Sequence, residues 1–400
     1  MTIKKISGNI TTPLGFKATG LHSGVKKERK DLGLIISEQP ASAAAVYTLN
    51  AIKAAPLRLT KENIGETGRV QAIIANSGNA NACTGPQGDA DALTMQEATA
   101  SLLNIQSNLV AVASTGVIGQ PMPMDIIKPA IEKLVPEKDG AEEFSEAILT
   151  TDTFAKTTCY EAEIAEKKVT LAGTAKGSGM IKPNMATMLG FLTTDAEIEP
   201  QYLQQALSEA TDTTFNCITV DGDTSTNDMV IVMANGLARN DSLTPDHPDW
   251  PTFTKLIQSA CEDLAKLIAR DGEGATKLIE VDVQGAISDT EAVQVAKSVV
   301  GSSLVKTAVY GTDANWGRII AAIGYSGASV NPDTIDTSIG HIQMLKDSQP
   351  LDFSEEEATA YMEQDTVLIT IDLKNGEGSG KAWGCDLTYD YVRINASYRS

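Results

Sequence analysis

Short apolar runs separated by glycine-rich stretches mark the first half of the chain. Residues 43–46 and 72–75 lie in two such runs, which the pattern predicts as buried strands. The stretch NSGNANACTG, residues 76–85, follows the second run. Because glycine and asparagine tolerate positive φ, this stretch predicts a sharp loop that leaves the strand. The pattern next predicts a helix over 89–103, a strand over 109–113 and a turn at 114–116.

The segment from 169 to 194 has two strand signals separated by a bend that contains glycine and proline. A strand is predicted over 169–172, and the sequence KGSGMIKPN at 176–184 follows it. Its glycines let the chain bend, and its proline fixes φ and removes a backbone donor. A second, largely apolar strand is predicted over 187–194. The segment is therefore interpreted as two strands joined through an exposed bend.

The second half mixes helix and strand signals. Apolar residues at helical spacing predict an amphipathic helix over 250–269, and a shorter helix is predicted over 201–210. Residues 367–371 and 383–387 predict paired strands, and 392–395 a short one. Helices do not alternate regularly with strands, so the pattern favours helices packed on layered sheets, an α/β or α+β fold, over a doubly wound sheet. No linker marks a domain boundary.

Composition narrows the classes of function. The chain has 400 residues, 42% of them apolar, and a formal net charge of −20. This charge disfavours binding to nucleic acid and to anionic membranes, so an anionic substrate would need local positive groups. The five cysteines are scattered without a CxxC pair, which argues against a zinc site or a disulfide framework. With no apolar signal core and no long apolar run, a cytoplasmic enzyme is expected.

The familiar catalytic motifs are missing. The sequence contains no GxxxxGK[ST], no HExxH and no GxSxG, and its three histidines have no evident carboxylate or cysteine companion. Acyl transfer without histidine needs another base. One solution is a threonine whose own α-amino group, with a pKa of about 7.7–8.0, takes the proton. An internal threonine gains such a group only when the backbone before it is cut.

Thr187 is a candidate for this chemistry. It follows the small residue Ala186 and begins the predicted strand after the bend, where Gly177, Gly179 and Pro183 shape the chain. A threonine after a small residue is also common at the start of an ordinary strand. The local pattern therefore leaves both a catalytic and a purely structural role open.

Longer motifs resemble the ornithine acetyltransferase family, also called glutamate N-acetyltransferase. The string MIKPNMATMLGFLTTDA, residues 180–196, resembles the segment that carries this family's cleavage site and nucleophile. Further matching motifs follow in the family's order along nearly the whole chain: GFKATGLHSGVKKERKDLGLI (15–35), AAAVYTLNAIKAAPL (43–57), NSGNANACTG (76–85), STGVIGQPMP (114–123), TTDT (150–153), DGDTSTND (221–228), RDGEGATK (270–277), YGTDANWGRI (310–319) and NASYRS (395–400).

The resemblance implies a layered αββα-type fold, grouped with self-processing DmpA-like aminopeptidases. It implies self-cleavage between Ala186 and Thr187 into an α chain, 1–186, and a β chain, 187–400, which form one intertwined catalytic unit and assemble as a heterotetramer of two α and two β chains. Acetyl then passes from N2-acetyl-L-ornithine through Thr187 to L-glutamate, in arginine biosynthesis. Some members also use acetyl-CoA as a donor. No metal and no bound cofactor are expected.

The resemblance also implies roles for individual residues. Thr115 and Gly116 would form the oxyanion hole. The residues implied in substrate binding are Thr150, Lys176, Thr187, Glu273, Asn395 and Ser400. Lys176 suits the substrate α-carboxylate and Glu273 the ornithine ammonium, while Thr151 or Thr153 could replace Thr150. The alternatives are a self-processing aminopeptidase or amidase that passes the acyl group to water, an acetyltransferase of secondary metabolism, and an uncut binding or assembly protein.

Overall fold

The computed structural model describes residues 3–182 and 188–396. Within these ranges the strands are β1 Lys4–Lys5, β2 Phe16–Leu21, β3 Leu32–Tyr47, β4 Arg69–Asn79, β5 Val110–Val117, β6 Lys156–Ile164, β7 Lys167–Lys176, β8 Leu189–Thr194, β9 Ile218–Thr219, β10 Met229–Ala234, β11 Leu278–Ala286, β12 Asp336–Ile339, β13 Ile342–Lys346, β14 Gln349–Pro350, β15 Thr366–Asp372 and β16 Gly378–Cys385. The α-helices are α1 Ala55–Thr67, α2 Gly85–Leu103, α3 Met124–Ile131, α4 Ala141–Ala147, α5 Pro200–Asp212, α6 Trp250–Arg270, α7 Asp289–Gly301, α8 Ser303–Tyr310, α9 Trp316–Gly324, α10 Glu355–Met362 and α11 Tyr389–Ala396.

Two compact units divide the chain. The first unit comprises Met1–Gly177, Pro183–Phe215 and Thr224–Leu264. The second unit comprises Ser178–Lys182, Asn216–Asp223 and Ala265–Ser400. Each unit has its own sheet, of nine strands in the first and seven in the second. The predicted mixed α/β class is therefore confirmed.

The sheet of the first unit is mixed. Its strand order is β1-β6-β7-β8-β10-β3-β4-β5, with β2 paired to β3. β8 runs parallel to β10 and β4 runs parallel to β5, whereas the other pairs are antiparallel. The strands predicted at 43–46, 72–75 and 169–172 lie in this sheet, and the one predicted at 109–113 begins at Val110. Each observed strand is longer than its apolar run.

Both faces of this sheet are apolar at β3 and β4. Leu34 and Ile35 are successive residues of β3, yet they lie in two different hydrophobic clusters, because side chains alternate between the faces of a strand. The cluster of Leu34 includes residues of α2 and α3, and the cluster of Ile35 includes residues of α4. Apolar neighbours on both faces explain why these strands have continuous apolar runs instead of alternation.

The sheet of the second unit has the order β14-β13-β12-β15-β11-β16-β9. β11 lies between β15 and β16, parallel to the first and antiparallel to the second. Residues 367–371 lie in β15 and residues 383–385 in β16, which ends two residues before the predicted bound. The prediction that these strands pair with each other was wrong. β11 carries the buried side chains of Ile279, Val281 and Val283 and occupies the place between them.

Three local predictions need correction. Strand β4 continues to Asn79, so the loop expected at 76–85 begins four residues later. The turn expected at 114–116 is still part of β5, because Ser77 and Gly78 of β4 pair with Thr115 and Gly116. The strand expected at 392–395 is the last part of helix α11.

The predicted helices at 89–103, 201–210 and 250–269 are confirmed as α2, α5 and α6. On α6, the side chains of Phe253, Ile257, Leu264 and Ile268 are fully buried, as the helical spacing predicted. None of the described helices has both the length and the apolar run that a membrane crossing requires.

Candidate active site

Thr115 and Gly116 lie near the end of β5, where this strand runs parallel to β4. Gly116 has a φ of +133°, which L side chains rarely adopt. A Cβ at this position would lie 2.3 Å from the backbone carbonyl carbon of Gly78. Only glycine therefore lets the two backbones approach here, and both predicted oxyanion residues remain partly exposed at the strand end.

Buried asparagine side chains hold the backbone just before these residues. Asn227 Nδ2 donates to the carbonyl oxygens of Ser114, at 2.9 Å, and Ala80, at 2.5 Å. The Ser114 hydroxyl donates to Asn76 Oδ1 at 2.5 Å. Ser114 is thus fixed through both its backbone and its side chain, and it directly precedes Thr115. Sequence reasoning assigned no role to Asn227, although it lies in one of the family motifs.

The carboxylate of Asp152 joins the predicted substrate-binding turn to the end of β7. Lys156 Nζ donates to its Oδ1 at 2.6 Å, and the Gly177 N–H donates to the same oxygen at 2.7 Å. Its Oδ2 accepts from the Thr150 N–H at 2.9 Å. Burial alone would raise the pKa of Asp152, but the ammonium groups of Lys176 and Lys156 together outweigh it and hold this pKa below its ordinary value of 3.8.

Lys176 is the last residue of β7, and its side chain is buried. In the antiparallel pair of β7 and β8 it lies opposite Leu189. Since Leu189 comes two residues after Thr187 in the chain, the register sets Lys176 level with the beginning of β8. Its charge also favours the ionised forms of Asp152 and Asp228. A lysine so placed can supply the local positive charge that a strongly acidic chain lacks.

Two further titratable groups lie within electrostatic reach of Lys176, and neither was predicted. Asp228 is buried, and burial raises its pKa well above the ordinary value, although a hydrogen bond with Ser225 and the charge of Lys176 oppose this shift. Burial lowers the pKa of Lys26 to about 8. The Lys26 ammonium donates to the Leu149 carbonyl oxygen at 2.9 Å. Only their surroundings in the fold distinguish these two groups from solvated charges.

Glu273 and Asn395 meet in the second unit. Asn395 Nδ2 donates to Glu273 Oε2 at 2.7 Å, and the Glu273 side chain is buried. The Glu273 carboxylate lies against Gly179, since a Cβ at Gly179 would be 2.4 Å from it. The backbone of Glu273 donates to the Ser178 carbonyl oxygen at 3.0 Å. The structure therefore brings together two residues that the family resemblance had assigned to substrate binding.

Three predicted site residues lie outside the described ranges: Ala186, Thr187 and Ser400. Of the others, Asp152 connects Thr150 to Gly177, the residue after Lys176, in the first unit, and Glu273 contacts Asn395 in the second. Among residues 3–182 and 188–396, no three side chains of histidine, cysteine, aspartate or glutamate are grouped as metal ligands.

Comparison with known proteins decides the family. The ArgJ family profile matches residues 17–400. The chain belongs to the ArgJ family. A similar relative, the arginine biosynthesis bifunctional protein ArgJ of Halalkalibacterium halodurans, is 63% identical over 401 residues, which cover 100% of this chain and 98% of the relative. The protein of the same name from Bacillus subtilis is 57% identical over 398 residues, with the same two coverages.

Among solved structures, a crystal structure of ArgJ from Bacillus halodurans shares 69% identity with this chain at a TM-score of 0.52. It covers 52% of this chain and 98% of the crystallised chain. The resemblance carried by the sequence motifs is confirmed, and with it the prediction that the chain is an acetyltransferase of the ornithine acetyltransferase family.

Proposed function

We propose that the chain cuts its own backbone between Ala186 and Thr187, and that it then carries acetyl from N2-acetyl-L-ornithine to L-glutamate on Thr187. The observation that carries this proposal is the family match over residues 17–400, which includes the segment around Thr187. The relatives' name, arginine biosynthesis bifunctional protein, supports the same pathway.

In self-cleavage, the Thr187 hydroxyl oxygen attacks the carbonyl carbon of Ala186. The C–N bond breaks, and the hydroxyl proton passes to the departing nitrogen, so an ester replaces the amide. Water then adds to the ester carbonyl and the C–O bond breaks. The Ala186 carboxylate and a proton are released, and Thr187 keeps its hydroxyl together with a new α-amino group.

In turnover, this α-amino group takes the hydroxyl proton while the oxygen attacks the acetyl carbonyl of acetylornithine. The amide C–N bond breaks, the proton passes to the leaving ornithine nitrogen, and acetyl-Thr187 remains. The α-amine of glutamate then attacks the ester, and its proton returns to the Thr187 oxygen. A free α-amine suits this role because its pKa of about 7.7–8.0 leaves part of it neutral near pH 7.

The strand end at Thr115 and Gly116 is the proposed oxyanion site. Both steps pass through a tetrahedral oxyanion, and losing one preorganised donor to such an oxyanion slows a reaction by about 10²–10³. The hydrogen bonds from Asn227 and Ser114 support this assignment, because they fix the backbone immediately before Thr115.

Charge supports the proposed substrate contacts. Lys176 would bind the α-carboxylate of the substrate, with Thr150 beside it on the turn held by Asp152. Glu273 would bind the side-chain ammonium of ornithine, with its carboxylate oriented by Asn395. Ser400 is also proposed as a substrate contact.

The length of the crystallised ArgJ chain supports cleavage. That chain corresponds to about half of the present one, whereas curated relatives match over the full length, which is what a single internal cut would produce. Assembly of two α with two β chains, action in the cytoplasm, and use of acetyl-CoA as a second donor are parts of the proposal, and the word bifunctional in the relatives' name supports the last of these.

A denaturing gel with N-terminal sequencing tests cleavage. The wild type should give fragments 1–186 and 187–400, the second beginning with Thr187, and Thr187→Ala should stay at full length. A wild-type chain that remains uncut after long incubation would overturn the proposal.

A product assay separates the transferase from a hydrolase. Ornithine release from acetylornithine should depend on glutamate and should be matched by N-acetylglutamate formed. Equal release without glutamate would identify an amidase instead.

A further inference from the structure

The Ser178–Lys182 segment is the last described part of the chain before the proposed cleavage site, and hydrogen bonds within the second unit hold it at several points. The Ser178 hydroxyl donates to the Asp271 carbonyl oxygen at 2.7 Å. The Ile181 carbonyl oxygen accepts from the Val220 N–H at 2.7 Å. Within the bend predicted at 176–184, Ser178 and Ile181 are therefore both held by hydrogen bonds.

Asp221 makes the central contacts to this segment. Its Oδ2 accepts from the Met180 N–H at 2.6 Å, and its Oδ1 accepts from the Ile181 N–H at 2.9 Å. One carboxylate thus binds two successive backbone donors, and hydrogen bonds to an ionised acceptor are stronger than those between neutral groups. Tyr391 lies near Asp221, and burial together with the nearby charges of Asp221 and Glu273 raises the pKa of this tyrosine to about 12.

The backbone conformation at Met180 needs such support. Met180 has a φ of +57°, in the left-handed region that residues other than glycine rarely adopt. Its side chain is 43% exposed, so side-chain packing is a weak reason for this conformation. The two hydrogen bonds to Asp221 flank the residue and oppose its return to an ordinary conformation.

We propose that Asp221 is a positioning residue for self-cleavage: its carboxylate fixes the backbone of Met180 and Ile181, the last firmly held residues before the Ala186–Thr187 bond among those that the structure describes. The inference rests on the proposed function. Ala186 lies only five residues beyond Ile181, so fixing Ile181 removes many of the conformations that the scissile peptide could otherwise explore. Intramolecular attack depends strongly on such restriction, because it requires the reacting atoms to be held close together.

The first test compares Asp221→Asn with Asp386→Asn, each produced as the full chain in the cold and followed on denaturing gels at one temperature below both melting points. Asp386 is a matched control, because it accepts from the successive N–H groups of Thr276 and Lys277 at 2.8 and 3.0 Å in the same unit. Asp221→Asn should cleave roughly ten- to a hundredfold more slowly than the wild type. Asp386→Asn should cleave at a rate within about threefold of the wild-type rate, even if its melting temperature falls as far as that of Asp221→Asn.

The second test keeps Asp221 and changes the conformation that it supports. Met180→Val should slow cleavage, because a β-branched residue strongly disfavours positive φ. Met180→Gly should cleave about as fast as the wild type, because glycine adopts this conformation freely. Adding Met180→Gly to Asp221→Asn should restore part of the lost rate, which a general loss of stability would not explain.

The outcomes separate this inference from the proposed function. A wild type that never cleaves overturns the proposed function itself. A wild type that cleaves, together with an Asp221→Asn chain that matches its rate, overturns the role of Asp221 alone. The same conclusion follows if Asp386→Asn slows cleavage equally, or if Met180→Val and Met180→Gly cleave at one rate.

Discussion

In the first unit the buried carboxylate of Asp152 faces the ammonium of Lys156 at 2.6 Å, whereas in the second unit the buried carboxylate of Glu273 faces the neutral amide of Asn395 at 2.7 Å. The Lys156 ammonium balances the negative charge of the Asp152 carboxylate within the fold. The Asn395 amide orients the Glu273 carboxylate without balancing its charge, so this carboxylate can attract a cationic ligand. We infer that Asp152 serves chiefly to hold the chain, and that Glu273 serves chiefly to bind.

The largest expected effect comes from Asp152→Asn. This change leaves the buried Lys156 ammonium without its counter-charge, and breaking a buried pair in this way costs about 3–5 kcal/mol. Urea unfolding at neutral pH should show a loss of this size in the free energy of unfolding. A loss below about 1 kcal/mol would contradict the assignment of Asp152 to the fold.

The control is Asp152→Asn combined with Lys156→Met, which removes both charges and should recover much of the lost stability. Acid gives a second check. Because the pKa of Asp152 in the folded chain lies below its ordinary value of 3.8, ionised Asp152 stabilises the fold above that pH. This contribution should be lost as the pH falls from about 3.8 toward the folded pKa, so the stability advantage of the wild type over the double variant should shrink in acid.

The next effect concerns Glu273→Gln, which retains the side chain's shape but removes its charge. We expect kcat/KM for acetylornithine to fall roughly a hundredfold, because a buried binding site would lose its counter-charge to the ligand ammonium. Steady-state kinetics would measure this, and the melting temperature should change little. Glu280→Gln is a suitable control, since Glu280 belongs to the same unit and pairs with Lys266. If Glu273→Gln instead lost stability as severely as Asp152→Asn, the contrast between the two carboxylates would fail.

A smaller effect is expected from Asn227→Ala, which removes the amide that binds the Ser114 and Ala80 carbonyl oxygens. Because the end of β5 would be held less firmly, the oxyanion of the transition state should be stabilised less. We expect kcat to fall about tenfold and KM to stay within about threefold of the wild-type value. Asn50→Ala is the matched control, since Asn50 Nδ2 makes a similar bond to the Thr224 carbonyl oxygen at 3.0 Å. Equal kinetics for the two variants would remove the reason to connect Asn227 with the oxyanion site.

The smallest effect is a pH dependence at Lys26. Because the pKa of Lys26 is about 8 in the folded chain and 10.5 ordinarily, the unfolded chain binds more protons between these values. The wild type should therefore gain stability relative to Lys26→Met as the pH rises from about 8 to 10.5. Urea unfolding at the two ends of this range gives the sign, and a relative loss of stability with rising pH would show that Lys26 is not held as described.

Elements with a strong local signal were predictable from the sequence. The apolar runs at 43–46 and 72–75 and the helical spacing over 250–269 mark β3, β4 and α6. Helix α11 was mistaken for a strand because Val392 and Ile394 alternate with polar residues, as in a strand, and none of its residues is buried. The pairing of β15 with β16 was mistaken because an adjacent position in the sequence does not imply an adjacent position in the sheet when β11 comes between them.

The sequence also could not show which residues support the site. The family resemblance indicated Lys176 and Glu273, but the supporting groups depend on contacts between distant parts of the chain. Asn227 holds Ser114 from 113 residues away, and Asp221 holds Met180 from 41 residues away. Within one sequence, these residues look like polar members of loops. Their roles become visible only when the fold brings the partners together.

Under the proposed self-cleavage, the exposed residue Met180 would be a position at which substitutions change the rate of maturation. The backbone of this residue is held in an uncommon conformation while its side chain faces solvent. Substitutions there would alter how long each newly made chain remains uncut, without touching the groups proposed to act on the substrate. Selection or protein engineering could therefore set the delay between synthesis and activity independently of the turnover rate.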